Sequence, residues 1–283
     1  MGAPVTAPVK VLAELVRAPA ALTVPGDAVA GAAASGWPFG RRTLALTGAS
    51  VCLYWAGMAL NDYADRALDA VERPERPIPS GRVSPGTALG VATGLTAGGL
   101  GIAAAAGGRR ALRVALPLAV TVWAYDFALK KTVLGPAAMA AARTLDVLLG
   151  AGGQRAALPA ALTVGAHTYA VTTLSRSEVD GATPALPAAA LAATAGVGLA
   201  AGRGGPLASA LLGGYAVTTG GAQFDAVRDP AAVKIRRAVG AGIHGMIPLQ
   251  AGLIARAGAW RPALAVAAAF PLARALGRKV SPT

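Results

Sequence analysis

The chain has 283 residues, 54% hydrophobic and 14% charged, with a mean hydropathy of +0.54, far below the roughly 25% charge of a soluble domain. It is too apolar for a disordered chain, and its 5% aromatic content is too low for the stacking platforms of a nucleic-acid binder. The net charge of +13 is therefore expected in the loops of an integral membrane protein, with no nucleic-acid partner.

Cys52 stands alone, which excludes an intrachain disulfide and a thiolate zinc cluster. Met1 to Lys10 lack the basic, apolar, small-residue order of a cleaved signal peptide. Met1-Gly2 with Thr6 formally fits an N-myristoylation pattern, which adds little to a protein with many spans.

A membrane-crossing helix needs about 20 mostly apolar residues. Windows of that kind fall at 11–34, 43–60, 86–106, 111–128, 133–152, 157–175, 183–202, 206–224, 236–257 and 260–276. They predict an all-α integral membrane protein, a bundle of about nine or ten spans forming one domain over 1–283. Many windows are rich in Ala and Gly, which lets helix backbones approach closely in lipid. Most lack the polar stripe of a water-facing helix.

The second span runs into Asn61-Asp62-Tyr63-Ala64-Asp65-Arg66-Ala67-Leu68-Asp69. Asn61, Asp65 and Asp69 are four apart, so a helix carries them on one stripe with Asp62 beside it. Carboxylates so placed repel one another unless a cation lies among them. Hard oxygen donors suit Mg²⁺, which commonly takes one or two carboxylates and completes its shell with phosphate oxygens. Ionisable groups leaving an apolar span are costly and are found where function needs them.

The following loop, Glu72 to Ser84, holds three prolines, a glycine and the arginines Arg73, Arg76 and Arg82. A stiff loop with planar guanidinium forks beside a metal stripe is suited to clamp a diphosphate. Further along, Arg143 and Asp146 are three apart in the fifth span, where they neutralise each other or reach the phosphates. His167 and His244 lie within spans without a third ligand and are expected to pack or hydrogen-bond between helices. Gln250 faces either a cavity or a neighbouring helix. The glycine run Gly94 to Gly101 is far from any strand and is not a nucleotide fingerprint.

Sixteen of the 26 basic residues fall on the face holding the N-terminus and even-numbered connections, nine fall on the other, and Arg143 lies inside a span. The positive-inside rule places the sixteen-base face in the cytoplasm. Asp62, Asp65, Asp69, Glu72, Glu75, Glu178, Asp180, Asp225 and Asp229 gather on that face, while the opposite connections carry no acid.

Asn61 to Asp69, followed by Arg73-Pro74 and Arg76-Pro77-Ile78-Pro79-Ser80-Gly81-Arg82, resembles the first signature of the UbiA superfamily of intramembrane prenyltransferases. Leu15-Val16-Arg17-Ala18-Pro19 resembles its opening motif, and Tyr125-Asp126-Phe127-Ala128-Leu129-Lys130 its Tyr-to-Lys pattern. Arg143 with Leu145 to Gly150 is similar to its fifth span. The second signature differs. Thr172 to Gly181 carries Arg176, Glu178 and Asp180 where the family has two Asp residues four apart, and a similar pattern occurs in a bacterial branch found near Ebo-type gene clusters.

The resemblance implies a helical bundle with a lipid-accessible cavity in the cell (inner) membrane, holding an isoprenyl diphosphate and a lipophilic acceptor. It further implies Mg²⁺ at Asn61, Asp62, Asp65 and Asp69, with Glu178 and Asp180 from the altered signature. By the same resemblance Arg17, Arg73, Arg76, Arg82, Lys130 and Arg176 bind the diphosphate, and Asp65, Asp69, Tyr125 and Lys130 form the catalytic set. Tyr125 would stabilise a developing carbocation with its ring. The expected reaction is ionisation of the diphosphate and transfer to an aromatic or quinone-precursor acceptor. A UbiA-type terpene cyclase and, further off, a transporter or lipid-binding protein are the alternatives.

Overall fold

The computed structural model describes residues 9–17, 23–37, 39–202 and 204–271. Among them the helices are α1 (Val9–Leu15), α2 (Val24–Ala34), α3 (Arg41–Glu72), α4 (Pro85–Ala124), α5 (Gly135–Gly150), α6 (Leu158–Ser175), α7 (Ala185–Ala201), α8 (Pro206–Tyr215), α9 (Gly221–Arg228), α10 (Ala232–Arg256) and α11 (Trp260–Ala267). No strand occurs among the described residues. By length and composition alone, three helical stretches are apolar enough to cross a membrane: Arg41–Glu72, Pro85–Leu129 and Ala232–Arg256. Ala185–Ala201 is a shorter apolar helix. Leu116, Val120, Leu162, Leu199 and Val217 point outward, as a lipid-facing surface requires.

The 32 residues of α3 make a rod of about 48 Å, longer than the roughly 30 Å hydrocarbon core. Its apolar part, up to Leu60, spans the core, so the acidic turns from Asn61 to Glu72 project beyond it. That is why the stripe sits at a membrane face.

Two expected spans, 86–106 and 111–128, are the limbs of α4. Ser84 caps its start by accepting from the Thr87 amide at 3.0 Å, with Pro85 in the first turn. At Gly108 the backbone turns to φ 60°, ψ −153°, a conformation glycine adopts without a Cβ clash. The limbs fold back there, so Trp123 Nε1 donates to Thr96 Oγ1 at 3.1 Å across 27 residues. The second limb ends in a π-helical turn, Tyr125–Leu129; such turns re-aim side chains and recur at functional sites.

The expected first span, 11–34, is not one helix. α1 stops at Leu15, Arg17 takes the left-handed φ of 45°, and α2 begins afresh at Val24; Ala18 and Pro19 of the opening motif lie outside the described residues. In the tenth window α11 covers the first eight residues, a turn at Ala268 and three helical residues follow to 271, and 272–276 lie outside the description. The eighth is α8 and α9 joined by a second π turn, Ala216–Gly220.

Close helix contact depends on glycine where α2 crosses α5. A Cβ on Gly150 would stand 2.2 Å from the Ala28 carbonyl oxygen, and one on Gly31 would stand 1.9 Å from that of Val147. This crossing fixes α5 beside the cavity that the site opens into.

Candidate active site

Four elements bring the site together at one end of the bundle: the turn after α1, the C-terminal turns of α3 with the arginine loop, the π turn ending α4, and the segment after α6. Helical spacing lines up the α3 acids, and the π turn presents Tyr125, Asp126 and Lys130 to them. Lys130 Nζ lies 2.7 Å from Asp65 and 3.7 Å from Asp126. Asn61 Nδ2 donates to Asp126 at 3.1 Å and to Asp65 at 3.3 Å. Arg17 reaches Asp62 at 2.9 Å and donates to Asn61 Oδ1 at 3.3 Å; its left-handed backbone turns it inward. Arg76 bridges Asp69 at 2.6 Å and Asp62 at 3.4 Å.

Four carboxylates, at Asp62, Asp65, Asp69 and Asp126, thus face three cations, at Arg17, Arg76 and Lys130. A diphosphate alone would meet an excess of negative charge here. A divalent cation reverses that balance, and the donor set of Asn61, Asp65 and Asp69 consists of the hard oxygens such an ion takes. Among the described residues no three Asp, Glu, His or Cys side chains form a ready-made metal cage. This fits an ion held jointly by one or two carboxylates and by substrate phosphate oxygens.

Below the stripe lies a 470 Å³ cavity. Arg17, Asn61, Tyr125, Asp126, Ser175 and Glu178 line it at the charged end, and Leu53, Met58, Val122, Met139, Val171 and Met246 are among its apolar walls. A charged mouth over an apolar hollow matches a molecule with an anionic head and a hydrocarbon tail.

The expected site residues separate by position. Arg17, Asn61, Tyr125 and Glu178 line the cavity; Asp65 and Lys130 are joined to Asn61 and Asp126 directly above it. Asp62 and Asp69 are buried and held by Arg76. Arg73 is half-buried, with no side-chain partner among the described residues. Arg82 is exposed, pairs with Glu14 of α1 and donates to the Glu75 carbonyl at 2.6 Å, which ties α1 to the loop rather than facing the cavity. Arg176 donates to the Thr132 carbonyl. Asp180 is exposed and is not among the cavity-lining residues. Of the altered second signature, then, Glu178 faces inward, and burial pushes its carboxyl up from its ordinary value while the Arg236 charge opposes the shift.

Asp126 received no role from the sequence, although its spacing of four from Lys130 was a visible sign. His167 hydrogen-bonds the Gly242 carbonyl at 3.0 Å and the Tyr215 hydroxyl at 2.9 Å, the interhelical role expected of it. Gln250 bonds the neighbouring α2 at Asp27 and Thr23. Arg143 also turns to α2, with Nε 2.9 Å from Asp27.

An all-helical bundle with a charged cluster at one end, over an apolar cavity, defines an intramembrane helical-bundle protein. The UbiA prenyltransferase family matches residues 21–181, more than half of the chain, and the chain belongs to that family. It is 41% identical over 111 residues to a digeranylgeranylglyceryl phosphate synthase of Methanopyrus kandleri, a match covering 39% of each chain. With the synthase of Ignicoccus hospitalis it shares 41% over 122 residues, 43% of this chain and 39% of that one. The chain thus spans about two fifths of the length of these curated relatives. In fold it resembles a solved digeranylgeranylglyceryl phosphate synthase at a TM-score of 0.69 and 16% identity, over 88% of this chain and 98% of the other. It also resembles a UbiA homolog from Archaeoglobus fulgidus bound to GPP and Mg²⁺, at 0.61 and 19%, over 91% and 99%.

Proposed function

We propose that the protein is a Mg²⁺-dependent intramembrane prenyltransferase that ionises an isoprenyl diphosphate and passes the prenyl group to a lipophilic acceptor. One observation carries the reading: the acidic α3 stripe, paired in part with Lys130 and Arg76, opens through Asn61 onto an apolar cavity. In it Asn61, Asp65 and Asp69 hold Mg²⁺, which when bound draws charge from the departing diphosphate. Glu178 is the second signature's contribution. Asp62 shares Arg17 and Arg76 and positions both; Asp180 is the weakest member of the expected set because it faces solvent.

Arg17, Arg76 and Lys130 exchange carboxylate partners for phosphate oxygens as the head group enters, with Arg73, Arg82 and Arg176 on the rim guiding it. The C1–O bond breaks with its electron pair leaving on the diphosphate, which these cations stabilise. Tyr125 faces the allylic cation with its ring, and the apolar walls keep water from quenching it. The acceptor's nucleophile forms the new bond to C1 and gives its proton to an oxygen of the departing diphosphate.

The named relatives are digeranylgeranylglyceryl phosphate synthases, and a glyceryl product favours a glycerol hydroxyl over an aromatic ring as acceptor. The likeness to an Ebo-type branch names no acceptor. By the positive-inside count, the site faces the cytoplasm from the inner membrane. Product analysis of purified protein with Mg²⁺, geranylgeranyl diphosphate and either a 1-alkylglycerol 3-phosphate or a phenolic acceptor tests the reading. A prenylated product supports transfer and names the acceptor, a hydrocarbon without acceptor supports cyclisation, and no diphosphate release under any condition rejects both.

A further inference from the structure

The end of the bundle opposite the site carries a second charged surface, and its charge has one sign. Arg41 and Arg42 open α3, Arg109, Arg110 and Arg113 stand at the fold-back of α4, and Arg155 follows the turn between α5 and α6. All six are exposed, and none makes a hydrogen bond or ion pair with a described residue. Residues 35–48, 101–125 and 147–177 contain no Asp or Glu. Counting nineteen residues of α3 from Asn61 back to Arg42 gives about 28 Å, close to the roughly 30 Å of a hydrocarbon core. The arginines therefore stand level with the head groups of the opposite leaflet.

Two of them are seated in place. Arg42 stacks on Trp37, its guanidinium carbon 4.5 Å from the ring centre. Its Nη2 also lies against Gly152, where a Cβ would stand 2.3 Å from that nitrogen, and a Cβ on Gly153 would stand 2.9 Å from Arg110 Cγ. Both glycines have positive φ, 59° and 77°, so the turn is bare where the two arginines rest on it. The start of α3, the second limb of α4 and this turn thus meet at one place. They present guanidinium forks whose N–H donors no described protein group takes.

Like charges gathered in this way cost free energy that an anion removes, and phosphate oxygens match the arginine fork. The surroundings favour a lipid over a soluble anion. Arg113, Leu116 and Val120 share one face of α4 by their spacing, and Leu116 and Val120 point outward. Arg41 stands likewise three residues before the exposed Leu44 on α3. Each of these arginines heads an outward apolar stripe, as side chains do that reach from lipid tails to head groups. We infer that this surface, centred on Arg42, Arg110 and Arg113, binds the phosphodiester head of an anionic phospholipid whose acyl chains run along Leu44, Leu116 and Val120. The bound lipid ties the start of α3 to the fold-back of α4, and the inference does not depend on the prenyltransferase reading.

The test titrates the full chain, in a neutral detergent, with phosphatidylglycerol or phosphatidylcholine of the same acyl chains and reads bound lipid by native mass spectrometry. Phosphatidylglycerol is expected to be retained in preference to phosphatidylcholine, and less so as salt is raised. Arg42→Gln, Arg110→Gln and Arg113→Gln should each weaken its retention about fivefold, the worth of one arginine at an anionic lipid surface. The paired change Arg228→Gln and Arg237→Gln, at the site's end of the bundle, should leave it unchanged. Arg113→Gln removes an exposed guanidinium with no hydrogen bond or ion pair to lose, so it decides the matter even if the Arg42 variant fails to fold. Equal retention of the two lipids, no response to Arg113→Gln, or an equal loss in the paired control overturns the inference. Displacement of phosphatidylglycerol by inorganic phosphate would mark a site for soluble anions and overturns the lipid assignment.

Discussion

Lys130 Nζ lies 2.7 Å from the Asp65 carboxylate, coupling the π turn at the end of α4 to the acidic stripe of α3. Both side chains are largely withdrawn from solvent, at 13% and 18% exposure, so neither is a dispensable surface charge. Lys130→Met leaves Asp65 and Asp126 without their ammonium partner and removes a phosphate ligand. Turnover, read as diphosphate release, is expected to fall by about 100-fold or more, the usual worth of a well-placed charge in a site. Near-normal turnover would remove Lys130 from the machinery.

The two loop arginines separate structure from binding. Arg76 holds Asp62 and Asp69, each only 4% exposed, and removing one partner of a buried pair costs about 3 kcal/mol. Arg76→Ala should therefore lower both the melting temperature in detergent and activity. Arg73→Ala, with no ion pair to lose, should leave the melting temperature nearly unchanged and raise the KM for the prenyl diphosphate. Thermal melts with steady-state kinetics on both variants check the contrast.

The altered second signature predicts an asymmetry. Glu178 lines the cavity, while Asp180 is exposed. Glu178→Gln should reduce turnover by about tenfold or more, as expected for an active-site carboxylate, and Asp180→Asn should have little effect. Equal losses in the two variants would mean that both acids converge on the substrate.

Helix contact gives a prediction independent of chemistry. Gly150→Ala places a methyl 2.2 Å from a backbone oxygen of α2, whereas a Cβ at Gly94 meets nothing within 4 Å. Gly150→Ala should destabilise the bundle by about 2 kcal/mol, as overpacking does. Gly94→Ala should be neutral or slightly stabilising, since alanine is the better helix former. Comparative unfolding in the same detergent distinguishes them.

Much of this site is local in sequence and therefore legible there. The stripe of Asn61, Asp65 and Asp69 follows from a spacing of four on a long helix, and the apolar windows located α5, α6, α7 and α10 closely and the first part of α3, which runs on to Glu72. What was not legible depends on tertiary closure. The break between α1 and α2 turns on the left-handed backbone of Arg17, inside what reads as one apolar window, whereas the fold-back of α4 at Gly108 falls in the gap between the expected spans 86–106 and 111–128. The division of labour among arginines, with Arg76 inside and Arg82 tied to Glu14, depends on which acid each can reach. The interior contacts of Arg143 and Gln250 with Asp27, and of Ser50 with Asp146, join α2, α3, α5 and α10, so no single window contained them.

The most direct measurement of the central claim is diphosphate release from geranylgeranyl diphosphate by purified wild-type and Asp65→Ala protein, with Mg²⁺ and after chelation. The account predicts release that requires Mg²⁺, falls by orders of magnitude in Asp65→Ala, and is lost while the variant remains folded and monodisperse. Release that persists in folded Asp65→Ala protein, or that is indifferent to Mg²⁺, would contradict it.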